Sequence, residues 1–209
     1  MKDLETYEEL IYKINNKLSK NLDYQNKIKL DSFLDNSILQ GSHSRLHLQI
    51  EKVIGEEISL WVKKKKRLNI SCWEPNKDLY PQYMLLGTDR GILAYIEFFY
   101  HNYQGKIEKD IIEKQAVLYR LSELKERISV VDSDLDRPVF YIHILNYYNY
   151  KDIVFETTEM IKDKIFSGNV IIKKENDEDY YFADLREMGS FDELVNIFEN
   201  LKKNNVKFY

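Results

Sequence analysis

Apolar residues recur at helical spacing from the first segment onward. Leu4, Tyr7, Ile11, Ile14 and Leu18 follow one another by three or four positions, which makes one face of an amphipathic helix over residues 3–19. A polar stretch comes next, and residues 26–38 read as a second short helix. Gly41-Ser42 breaks the pattern, with Ser42 placed to cap the following helix. Over residues 43–62, Leu46, Ile50, Val53, Ile54, Leu60 and Trp61 gather on one side at about 100° per residue.

The period then shortens. "RLNISCW", residues 67–73, reads as a strand, and Pro75-Asn76 begins a turn. Residues 82–88 and 92–100 are two further strands joined by the turn "TDRG". Residues 108–128 read as a long helix. "RPVFYIHIL", residues 137–145, is almost continuously apolar, as expected of a strand covered on both faces. Residues 151–166 are expected to be helical, and "NVIIKK" and "DYYFADL" form a hairpin around an acidic turn. "SFDELVNIFENLKK" closes the chain as a helix, with Ser190 as N-cap and Glu193 completing a capping box.

From residue 43 the order is helix, three strands, helix, strand. A strand-helix-strand crossover puts the fourth strand parallel to its neighbour. The expectation is an α/β fold: a mixed sheet flanked by helices, with an N-terminal helical extension. The expected units are residues 1–40 (the extension), 41–150 (the core) and 151–209 (a helix-hairpin-helix addition packed on the core).

Composition narrows the setting. The chain has 209 residues, 44% hydrophobic and 32% charged, as in a soluble globular protein. Its formal net charge of -4 gives the surface as a whole no attraction for nucleic acid, so such binding would need a local basic patch. The single cysteine, Cys72, forms no internal disulfide, and a cytoplasmic setting is the simple expectation. The N-terminus shows no apolar signal core, and no run reaches the roughly 18 to 20 apolar residues that span a bilayer. No membrane association is expected.

Two carboxylates stand out. Glu57 falls near the centre of the apolar stripe of the second long helix, whereas Glu51 and Glu56 point away from it. Glu97 lies inside "ILAYIEFFY", where period two groups Tyr95, Glu97 and Phe99 on one face. A carboxylate on an apolar surface costs several kcal/mol without a partner or metal. Gln115 and Tyr119 are four apart and would share a helix face. "KKKKR" (Lys63, Lys64, Lys65, Lys66 and Arg67) is either a solvated loop or a contact for backbone phosphates. Tyr147, Tyr148 and Tyr150 would serve packing or base stacking. His43 and His47 are spaced i, i+4 but lack an HExxH pattern and a third ligand, which argues against zinc. His143 reads as a hydrogen-bonded core histidine.

The order of these features resembles the PD-(D/E)xK phosphodiesterases, the restriction-endonuclease-like nucleases, over about residues 43–145. The resemblance implies that Glu57 matches the family's helix acid, Glu97 its second strand acid, Pro81 its proline, and Gln115 and Tyr119 its Gln-x-x-x-Tyr helix. Gln82 stands where the family has a metal-binding aspartate, and Phe99 where it has a lysine. In an active version Glu57 and Glu97 hold Mg2+ or Mn2+, Gln82 fills a third position, Lys114 stabilises phosphate charge, and Gln115 and Tyr119 orient substrate or water. Asp78 is a nearby replacement acid. The resemblance implies DNA or RNA as partner, in microbial or phage defence or DNA processing. The competing expectation is a non-enzymatic module that binds a protein partner or a second copy of itself, as an inhibitor, immunity factor or assembly subunit. Convergence of Glu57 and Glu97 beside a basic groove separates the two.

Overall fold

The apolar stripes read along the chain meet in one core. The computed structural model describes residues 4–21, 45–74, 84–103, 116–120, 137–147, 150–167, 171–175 and 178–205. Helices α1 (Leu4–Asn21) and α2 (Arg45–Lys66) lead into strands β1 (Ser71–Trp73), β2 (Met84–Thr88) and β3 (Gly91–Tyr103). Strand β4 (Ala116–Arg120) precedes β5 (Val139–Tyr147) and β6 (Lys151–Thr157). Helix α3 (Thr158–Phe166), the hairpin β7 (Ile171–Glu175) and β8 (Glu178–Asp184), the short β9 (Gly189–Ser190) and helix α4 (Phe191–Asn205) complete the order.

The main sheet is six-stranded and mixed, in the order β1-β2-β3-β5-β6-β9. Its β3–β5 pair is parallel, as expected, and its other pairs are antiparallel. A smaller antiparallel sheet has the order β4-β8-β7. The fold class is therefore α/β, a mixed sheet flanked, among the described residues, by four helices.

Alternation divides the central strands. Ala94, Ile96 and Phe98 of β3, with Phe140, Ile142 and Ile144 of β5, share the core with Leu10, Ile11 and Ile14 of α1, Ile50, Ile54 and Ile58 of α2, and Phe191, Leu194 and Phe198 of α4. Each such side chain contributes about 1.5–3 kcal/mol on burial. The residues between them, Tyr95, Glu97, Phe99 and His101 on β3 and Val139, Tyr141 and His143 on β5, therefore occupy the opposite face. Gly55 lets α2 lie close to the sheet, because a Cβ there would come within 2.8 Å of the Cys72 Sγ. Ser59 ties the same helix to β1, donating to the Gly55 carbonyl at 2.7 Å and accepting from the Cys72 amide at 2.9 Å.

Three local expectations are corrected. Residues 116–120, expected within the long helix, form β4 and pair with β8. "AVLYR" fits either period over so short a run, and the partner "DYYFAD" decides it. Residues 151–157, expected to be helical, form β6 in the main sheet, as the β-branched and aromatic run Ile153, Val154, Phe155 favours. The helix starts only after Thr157, whose Oγ1 accepts from the Met160 amide at 3.2 Å. Strand β1 begins at Ser71 and not at Arg67, because the chain must first turn away from α2. The expected helix at 26–38 and the cap at Ser42 lie outside the described residues.

Candidate functional site

Helix α2 is buried on two sides, against the sheet and against α1. Ile58 and Val62 join Ile54 in its buried arc, while Leu60 is exposed. At about 100° per residue this moves the centre of the arc to Ile54, with Glu57 on one flank and Glu51 on the other. Glu57 is on the α1 side, where it forms an ion pair with Lys17. The hydrogen bond that the Lys17 ammonium donates to that carboxylate raises the Lys17 pKa above its ordinary 10.5. Glu57 thus sits between two helices on the core side of the sheet, and Glu97 belongs to the other face. The structure does not bring these two carboxylates together.

Glu51 is the acid that reaches β3. It is 2% exposed, and its Oε1 accepts a hydrogen bond from the Phe98 amide at 3.1 Å. That amide belongs to the residue after Glu97, just past Met84–Ile96, where the described β2–β3 register ends. The expectation that Glu51 points away from the apolar stripe is therefore corrected. The signal was present in the sequence: Glu51 lies three and seven positions before Ile54 and Ile58, on their face of the helix.

Glu97 is 4% exposed. Strand register puts it in one transverse row with Tyr141 of β5 and Glu156 of β6. Glu156 is fully buried and accepts from Lys164 of α3 at 2.9 Å, and Lys164 also lies 3.6 Å from Glu187. The next row begins with Phe99, whose ring stacks on His143 with centroids 4.8 Å apart and planes at 17°. The position at which the resemblance asks for a lysine is thus an aromatic packing position.

His143 is a hydrogen-bonded core histidine, as expected. Its Nδ1 and the His101 Nε2 are 3.1 Å apart, one ring donating and the other accepting. Burial lowers the His101 pKa to about 4. Burial first, then the neighbouring His101, holds His143 well below its ordinary 6.5. Two neutral imidazoles suit this face; two cations would not.

The remaining candidates are dispersed. Gln82, Lys114, Gln115, Asp78, Pro81 and His43 lie outside the described residues. Tyr119 is on β4 opposite Tyr181, in the smaller sheet and not on a helix. Tyr150 donates to Asp152 Oδ2 at 2.8 Å. Lys63, Lys64, Lys65 and Lys66 form the last turn of α2, where cations complement the helix dipole. Lys66 bonds Asp192 of α4 at 3.0 Å, and Arg67 follows in the left-handed region at φ 54.

Mg2+ or Mn2+ needs several hard oxygens around one point. Glu57 is held by Lys17 on the wrong side of the sheet, one oxygen of Glu51 is used by the Phe98 amide, and Phe99 offers no donor. Among the described residues no three His, Cys, Asp or Glu side chains are grouped to hold a metal ion. The described residues alone do not fit a resident divalent ion.

The backbone is similar to that of a solved structure. Structure comparison matches the chain to a nuclease from a fusselovirus, with a TM-score of 0.51 and 16% sequence identity, over 77% of this chain and 93% of that one. The chain has a nuclease-like fold. No family model and no curated protein sequence matches it. No helix among the described residues is long and apolar enough to cross a membrane.

Proposed function

We propose that the chain is a nuclease-derived nucleic-acid-binding protein of the PD-(D/E)xK kind, which holds DNA or RNA without cutting it through a Glu57–Glu97 metal site. The observation that carries this reading is the nuclease-like fold with an exposed basic end on α2, while the Lys17–Glu57 ion pair on the core side of the sheet, with Glu97 on the opposite face, speaks only against cleavage through Glu57 and Glu97 together. A metal-dependent nuclease needs its carboxylates on one ion, and this pair is divided by the sheet. The nuclease-like fold and the exposed basic end of α2 support nucleic acid as the partner.

One observation favours a second reading. The buried Glu51 carboxylate meets β3 next to Glu97, so an altered hydrolytic site would draw on Glu51 and Glu97, with Gln82 and Lys114 as further groups. The test is incubation of mixed DNA and RNA with the wild-type chain and Mn2+, beside Glu97→Ala and Glu51→Gln. Retained nucleic acid without cleavage supports the binding protein. Cleavage that both substitutions abolish, and Glu57→Ala leaves intact, supports the altered nuclease and defeats the first reading.

A further inference from the structure

The basic end of α2 contains one residue whose backbone is in the wrong region for its type. Arg67 follows the last helical turn at φ 54. This is the left-handed position that closes many helices, and the chain turns back on α2 there, with the Leu68 amide donating to the Val62 carbonyl at 3.4 Å, one residue beyond the Lys63 carbonyl that the usual closure would use. Glycine takes this conformation without strain, and asparagine tolerates it; an arginine pays for its Cβ. Helix electrostatics do not account for the choice, because four lysines already face the dipole from Lys63 to Lys66.

The cations of this run are also not equivalent. Lys66 is paired with Asp192 in the first turn of α4, at 3.0 Å. Lys64 and Lys65 act on Glu9 of α1, whose carboxyl is held below its ordinary 4.5 chiefly by Lys13 and secondarily by these two. Arg67 is exposed beyond the end of the helix. A planar guanidinium at a fixed turn is well suited to a phosphate, which it grips with two parallel hydrogen bonds.

We infer that Arg67 is a dedicated phosphate contact for a nucleic-acid strand, kept at the helix end despite the strain, whereas Lys66 is structural. This rests on the nucleic-acid-binding reading above and assigns roles within its basic patch. Arg67 stands on the order of 20 Å along α2 from Glu51, so it holds a polymer at a distance from β3 and takes no part in chemistry there.

The experiment compares Arg67→Gly, Arg67→Asn and Lys66→Gln with wild type in thermal melting and in binding of labelled DNA duplex and RNA strand across a salt series. Arg67→Gly is expected to raise the melting midpoint, weaken binding several-fold and reduce the slope of log K against log salt by about one. Arg67→Asn should lose binding in the same way. Lys66→Gln should lower the melting midpoint and leave the salt slope unchanged. Wild-type binding that Arg67→Gly leaves untouched overturns the assignment of Arg67 alone, as does a Lys66→Gln slope change equal to that of Arg67→Gly. A lower melting midpoint for Arg67→Gly overturns the strain argument. Wild type that binds neither probe overturns the nucleic-acid reading together with this inference.

Discussion

Lys17 and Glu57 join α1 to α2 by an ion pair on the core side of the sheet, and that pairing separates Glu57 from Glu97. Glu57 is almost buried, while the Lys17 side chain is 43% exposed, so water screens the interaction. Glu57→Gln should therefore cost roughly 1 kcal/mol or less in a denaturant titration and leave nucleic-acid affinity unchanged. A loss of affinity with stability preserved would return Glu57 to the functional site.

The Glu51–Phe98 hydrogen bond makes a larger prediction. Glu51→Ala removes the acceptor of a buried amide and should cost about 2–3 kcal/mol. Glu51→Gln keeps an oxygen for the same amide and should cost less than half as much. Chemical denaturation of the two variants measures the difference, and equal losses would show that the bond to Phe98 adds nothing.

The histidine pair sets a pH dependence. His101 ionises near 6.5 in the unfolded chain and only near pH 4 in the folded one. Between those values the unfolded chain binds more protons, so stability falls as pH falls from about 6.5 to about 4. The loss from His101 amounts to about 3 kcal/mol at about 1.4 kcal/mol per unit, and His143 adds to it in the same direction. Asp192, whose carboxyl the nearby Tyr7 hydroxyl and Lys66 hold low, loses its contribution only as pH falls below its ordinary 3.8, outside this range. Melting measured across this range should show a flatter decline for His101→Gln than for wild type; parallel curves would remove the pair as its source.

Local signals carried much of the fold. Alternation in "ILAYIEFF" located β3, and the long connection after it, too long for a hairpin, suited a parallel β5. Ser190 and Glu193 form the expected capping box: the Glu193 carboxylate accepts from the Ser190 amide at 2.7 Å, and the Glu193 amide donates to the Ser190 hydroxyl at 3.4 Å. What failed depended on partners distant in sequence. "AVLYR" became a strand because β8 lies beside it. The choice between Glu51 and Glu57 turned on Ile58 and Val62, which show that α2 is buried over a wider arc than a narrow stripe suggests. Only the position of α1 decides which flank carries an ion pair and which reaches a strand.

Binding of labelled DNA and RNA by the wild-type chain, followed by anisotropy from low to high salt without divalent ions, shows whether the chain holds nucleic acid. Saturable binding that weakens steadily as salt rises, in the way phosphate contacts do, is the expected result. No binding to either polymer at low salt would contradict the nucleic-acid-binding reading.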